Sequence, residues 1–268
     1  NLFPYGYLGV DIFFVISGFV ISNLIYFQLN NKSFSFKYFY FMRFKRIFPA
    51  LISYSIFVQI LSYLTLDHRN IIETGKTLFY SLIFVSNIHL ARYLPYFDQG
   101  SELNLVINLW SLSVEEQFYI VFPIFAYLIR KYAIKYQILI YISLTFLSIF
   151  FMNEAVFDLF KLLKSIFLSY DNYLFYSPFT RVWEFTLGIV GMFLNQKIKK
   201  EEQIKVKNYL STLCLLGLTF VIYFQFDSSS FLRMALANLL VLIILIFKLE
   251  LKNLKNIIVT FTIFTGNI

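Results

Sequence analysis

Long apolar stretches dominate this chain, and short polar stretches punctuate them. Apolar segments of spanning length fall near 8–28, 47–66, 77–94, 106–129, 136–153, 178–196, 208–226 and 231–247, and a ninth begins near 256. Roughly 20 helical residues cross a bilayer, and a helix satisfies its own backbone hydrogen bonds in hydrocarbon. The pattern predicts an all-α, polytopic transmembrane helix bundle with about eight full segments plus the start of a ninth. No stretch alternates with the period of two that a membrane β-barrel strand needs, and no internal repeat stands out. Connections are short except at about 29–46, 95–105 and 154–177.

Basic residues bear on orientation. Lys32, Lys37, Arg43, Lys45 and Arg46 crowd the first connection. Arg130, Lys131 and Lys135 mark a second, Lys197, Lys199, Lys200, Lys205 and Lys207 a third, and Lys248, Lys252 and Lys255 a fourth. Cytoplasmic loops carry such an excess. If every segment crosses, the first basic loop falls opposite the other three. One failed crossing removes the conflict, and 77–94 is the candidate, because it carries Asn87, His89 and Arg92. A re-entrant course is expected there; the alternative is that the charge rule fails at one loop.

Composition sharpens the class. Of 268 residues, 59% are hydrophobic and 14% charged, against roughly 25% charged in soluble domains. The excess is too large for one buried core and fits a chain whose solvent is lipid. One cysteine, Cys214, excludes a disulfide framework and a cysteine-based zinc site. Two histidines, His68 and His89, leave no multi-histidine metal site. The net charge of +8 sits in loops between apolar segments, so no nucleic-acid partner is expected. The chain opens on Asn1, and its final apolar run is short. The expectation is one membrane domain over 1–268, a fragment lacking its first helix and the end of its last.

Charged groups inside apolar helices cost on the order of 2.5–3.5 kcal/mol each at a helix centre, so buried polar residues are the informative ones. In GYLGVDIFFVISGFVIS (6–22), Asp11, Gly18 and Ser22 share one helical stripe. Asp11 faces a site, or the stripe is a packing face of small residues. In FKYFYFMRFKRIFPAL (36–51), Arg43 and Arg46 are spaced i, i+3 and point the same way. Paired guanidiniums suit a phosphate-rich ligand; snorkelling to lipid head groups is the alternative. In LWSLSVEEQFYIVFPIF (109–125), Trp110, Ser113, Glu116 and Gln117 fall within a sector of about 120°, with Glu115 rotated by about 100° from Glu116. That face lines a wet cavity or belongs to a structural hydrogen-bond network. In SPFTRVWEFTLGIVGMF (177–193), Arg181, Glu184, Gly188 and Gly191 run down one stripe. Arg181 and Glu184 can pair within the helix, and the glycines permit close approach; an ion pair plus a packing seam is the plain alternative. No GxSxG, HExxH or CxxC motif occurs.

Taken in order, these groups resemble the acyltransferase 3 family of bacterial integral membrane O-acyltransferases. The strings that carry the resemblance are GVDIFFVISGF (9–19), RFKRIFPAL (43–51), YFDQGSELN (96–104), WSLSVEEQFY (110–119) and RVWEFTLG (181–188). The stretch from YFD to WSLSVEEQFY is most similar to the surface-polysaccharide O-acetylase branch. The resemblance implies about ten membrane helices in the bacterial cytoplasmic membrane. It implies acetyl-CoA as acyl donor from the cytoplasm, and as acceptor a hydroxyl of a cell-surface or lipid-linked glycan. Arg43 and Arg46 match the element on the CoA side. Glu115, Glu116 and Trp110 match the element near the reaction centre, and Asp11, Arg181 and Glu184 match further functional positions. The family's catalytic histidine lies on a first helix that this sequence does not contain. Asn108 replaces a histidine often found two residues before the tryptophan.

The resemblance and the buried charges together imply a mechanism. The arginines hold the CoA phosphates while the thioester enters a cavity lined by the helices of Asp11, Glu116 and Arg181. Glu115 or Glu116 orients the absent imidazole, which acts as general base. Trp110 Nε1, Ser113 or Arg181 donates to the developing oxyanion, and no metal is required. The competing class is a glycolipid carrier or flippase without acyl chemistry; a scaffold whose buried pairs are purely structural is a third.

Overall fold

The computed structural model describes residues 7–93, 106–197, 210, 213–214, 216–221 and 230–247. All regular structure among them is helical: α1 (Leu8–Asn30), α2 (Phe36–Thr65), α3 (His68–Leu82), α4 (Ser86–Tyr93), α5 (Leu109–Tyr132), a 3₁₀ turn (Ile134–Tyr136), α6 (Gln137–Phe150), α7 (Glu154–Leu159), α8 (Lys161–Phe167), α9 (Tyr170–Tyr176), α10 (Val182–Lys197) and α11 (Ser230–Ile246). The chain divides into two compact units, residues 1–22 with 184–268 and residues 23–183.

Three helices, α1, α2 and α5, are long and apolar enough to cross a membrane. The expected eight are not reached among the described residues. The segment at 77–94 is broken at residues 83–85, and α6, α10 and α11 hold 14, 16 and 17 residues. At 1.5 Å per residue these three rise about 21–26 Å, short of a hydrocarbon core roughly 30 Å thick. The segment at 208–226 is described in part, and the one near 256 lies outside the described residues, as does YFDQGSELN. On α2, Phe41, Phe44, Phe57, Tyr63 and Leu64 are all exposed by more than half. Apolar exposure on that scale belongs to a helix whose surroundings are lipid.

In the first unit, α1 and α10 run antiparallel in close contact. A Cβ at Gly18 would stand 2.1 Å from the Phe185 carbonyl oxygen, and one at Gly188 would stand 2.1 Å from that of Val15. Phe14 stacks on Phe185 with centroids 4.7 Å apart. A third glycine, Gly191, receives Leu242 of α11. Without a hydrophobic drive between helices in lipid, such small-residue seams supply the packing.

In the second unit, α2 and α5 are antiparallel. Phe36 meets Tyr127 at a centroid distance of 5.7 Å, and the Tyr40 hydroxyl donates to the Ile120 carbonyl at 2.7 Å. Tyr26 near the end of α1 and Tyr141 near the start of α6 share a 2.9 Å hydrogen bond. These contacts bring the first basic connection and the Arg130–Lys135 connection to the same end of the bundle. Helix α2 therefore ends, and α5 begins, at the other end. Ser35 starts α2 by accepting from Tyr38 N, and Pro49 and Pro123 are carried inside α2 and α5 without ending them.

Between α2 and α5 the described residues form α3, a break and α4. Leu78 packs with Val58, Val106 and Leu109. Phe84 then takes a φ of 55°, and Val85 N donates back to Tyr80 O at 2.9 Å. A bulky residue at positive φ is strained by about 1–3 kcal/mol and persists only where its surroundings hold it. Here Gln117 of α5 does so, donating to the Phe84 carbonyl at 2.8 Å. Arg92, beyond α4's buried stretch, donates to the carbonyls of Ser165 and Ile166.

Candidate functional site

Helix α5 presents two polar sectors to two different neighbours. The first holds Glu115, Glu116 and Tyr119 and faces α2. Arg43 reaches it from α2: Nε donates to Glu116 Oε1 at 3.2 Å and Nη2 to Glu115 Oε1 at 3.5 Å. The Tyr119 hydroxyl donates to the same Glu115 oxygen at 2.5 Å. The Arg43 guanidinium carbon lies 3.3 Å from the centre of the Tyr119 ring. The side chains of Arg43, Glu115 and Glu116 are 12%, 8% and 8% exposed, so the ion pairs are screened from solvent. Two carboxylates share one guanidinium here, and Glu116 accepts a hydrogen bond at Oε1 alone among the described residues. Its Oε2 retains its full capacity for a ligand or a proton.

The second sector holds Trp110, Ser113 and Gln117 and faces α4 and α9. Ser86 and Ser113 are joined at 2.7 Å, and Ser86 Oγ also donates to the Leu109 carbonyl at 3.1 Å. Gln117 Nε2 donates to Asn87 Oδ1 at 2.9 Å, and Asn87 Nδ2 donates to the Tyr176 carbonyl at 3.1 Å. Trp110 is buried against Phe175 and Tyr176, with centroids 4.6 and 5.5 Å away. Arg181 completes this side. Its Nε donates to the Phe175 carbonyl at 3.2 Å, and its guanidinium carbon stands 5.7 Å from Trp110 and 5.4 Å from Phe175 ring centres.

The sequence grouping is thus rearranged. Trp110, Ser113, Glu116 and Gln117 share a sector on paper, but Arg43 draws Glu116 to the side of Glu115. The expected Arg43–Arg46 pair is also divided: Arg43 is engaged with the glutamates, whereas Arg46 is exposed. Arg181 lies one residue before the first residue of α10, outside the helix in which it was expected. Asp11 and Glu184 belong to the other compact unit, and both are buried. There the α1–α10 register sets Gly18 beside Phe185. Asp11, seven residues before Gly18, stands about 10 Å along the helix from that level, so these two acids occupy different depths.

Tyr119 and Tyr40 were missed by the sequence reading. The available signal was spacing: Tyr119 is four residues beyond Glu115, the distance at which helical side chains meet. Among the described residues, no group of three or more His, Cys, Asp and Glu side chains is placed to hold a metal ion.

The model of a family described as an acyltransferase domain matches residues 3–265. The chain is 35% identical over 147 residues to an uncharacterized protein of Haemophilus influenzae, covering 55% of this chain and 60% of that protein. It is 36% identical over 153 residues to the peptidoglycan O-acetyltransferase of Listeria monocytogenes, covering 55% of this chain and 24% of that protein. A Staphylococcus aureus protein named as an O-acetyltransferase is 40% identical over 121 residues, 44% of this chain and 20% of its own length. The matched stretches thus fall short of two thirds of each relative. No solved structure matches the chain.

Proposed function

The chain belongs to the acyltransferase domain family, and from that premise we propose that it acts in membrane O-acyl transfer, moving an acetyl group from acetyl-CoA to a hydroxyl of a cell-surface or lipid-linked glycan at the bacterial cytoplasmic membrane. The supporting observation is the Arg43–Glu115–Glu116–Tyr119 cluster, buried between two helices of spanning length. Burying two carboxylates on one guanidinium is expensive in hydrocarbon, and a purely structural tie would need only one. The names of the relatives from Listeria and Staphylococcus support O-acetyl transfer, and the former supports a cell-wall glycan acceptor.

The acceptor oxygen attacks the thioester carbonyl carbon, the C–O bond forms and the C–S bond breaks. The hydroxyl proton passes to a general base and leaves with the CoA thiol. Glu116 is suited to orient that base or the acceptor, because its Oε2 is uncommitted. Arg181, beside Trp110, is suited to stabilise developing negative charge. Arg46, exposed one turn beyond Arg43 on α2, is the better placed of the two arginines to meet a CoA phosphate, since Arg43 is held by the glutamates.

The test uses full-length protein in membrane vesicles supplied with radiolabelled acetyl-CoA and glycan acceptor. Label in the glycan is expected; a carrier or flippase gives none, and that result ends the proposal. R46A is expected to raise KM for acetyl-CoA about tenfold, the loss of one charge-assisted contact, with normal amounts of folded protein. An unchanged KM removes Arg46 from the donor site.

A further inference from the structure

We propose that Tyr119 is a positioning residue that divides the labour of the two adjacent glutamates, anchoring Glu115 so that Glu116 alone is presented to the reaction. This rests on the acyl-transfer reading above. Tyr119 is buried, at 4% exposure, and uses both of its faculties on the same cluster. Its hydroxyl donates to Glu115 Oε1 at 2.5 Å, and its ring face carries the Arg43 guanidinium at 3.3 Å. Glu115 therefore has its Oε1 occupied twice, by the phenol and by Arg43 Nη2. Among the described residues, Glu116 receives only Arg43 Nε.

Adjacent residues on a helix point about 100° apart, so nothing in local geometry makes two neighbouring glutamates converge on one guanidinium. The tyrosine one turn further on supplies the constraint. It holds Glu115 from its own helix and fixes the guanidinium plane by stacking. With that plane fixed, Nε is aimed at Glu116 and the Glu116 Oε2 direction is set. A guanidinium without the ring beneath it could tilt and engage either carboxylate.

Y119F retains the stacking ring and removes the hydroxyl. In the full-length protein in vesicles, it is expected to lower kcat for acetyl transfer roughly tenfold while leaving KM for acetyl-CoA in place, the scale of one lost hydrogen bond to a charged group. A double-mutant cycle with E115Q tests whether the tyrosine acts through that glutamate: Y119F added to E115Q should cost little further. Independent, additive losses would overturn the proposal, as would a Y119F kcat equal to that of the parent. If Y119F fails to accumulate, E115Q alone decides: it is expected to lower kcat with KM for acetyl-CoA in place, and an unchanged kcat sinks the idea. Parent protein that transfers no label at all refutes the acyl-transfer reading instead, so the two failures are distinguishable.

Discussion

The α1–α10 seam and the α2–α5 clamp solve the same problem by opposite means. Each joins two apolar helices that lipid surroundings do not drive together by the hydrophobic effect. The seam brings backbones together until no Cβ fits at Gly18 or Gly188, and dispersion over a long contact does the rest. The clamp keeps the helices far enough apart for Arg43, Glu115, Glu116 and Tyr119 to fit between them, and joins them by charge. A seam tolerates no added atom at its glycines, although the same two helices carry the buried acids Asp11 and Glu184. A clamp is costly to bury and leaves an oxygen free. The difference teaches that this protein joins one helix pair by close packing and the other by charge.

Breaking each side should give different signatures. The largest effect is expected for R43A, which strands two carboxylates in a buried place. Loss of one partner of a buried ion pair costs about 3–5 kcal/mol, so both folded yield in detergent and acetyl transfer should collapse. Retained thermal stability would mean that the clamp is no structural tie. G188A comes next. Its added methyl meets the Val15 backbone, which has no flexible end to swing aside, and overpacking costs about 1–3 kcal/mol. Lower melting temperature with near-normal kcat in the folded fraction would confirm that the seam is structural alone; a selective loss of kcat would blur the division.

The smallest effect is expected for S86A, which removes the hydroxyl shared with Ser113 and the bond to the Leu109 carbonyl. Hydrogen bonds between membrane helices average about 0.6 kcal/mol. The outcome sharpens the comparison, because the α5 side chains of this second sector are uncharged and the charge beside them, Arg181, comes from outside α5. A small loss of stability with kcat intact marks the Ser86–Ser113 contact as scaffold for the break at 83–85, whereas a large loss of kcat would extend the reactive region to α4.

The sequence by itself determined the solvent and the class of element. Apolar stretches of this length with so few charges leave no stable choice but helices in lipid, since backbone groups must be satisfied internally. It also marked Asp11, Arg43, Arg46, Trp110, Glu115, Glu116, Arg181 and Glu184, because the cost of burying polar groups makes them conspicuous wherever they stand; all but Arg46, which is exposed, are buried or nearly so. The charge of the flanking loops raised the expectation of a failed crossing at 77–94, where the structure shows a break at residues 83–85. Only the tertiary structure decided which of these residues meet. Arg43 and Glu116 are 73 positions apart, and their meeting depends on the rotation and register of α2 against α5. The polar residues of α5 fall on two sectors, and the sequence does not say which neighbour each sector meets. That is why Glu116 was grouped with Trp110 and Gln117 rather than with Tyr119, and why the division between Arg43 and Arg46 became visible only once α5 was laid beside α2.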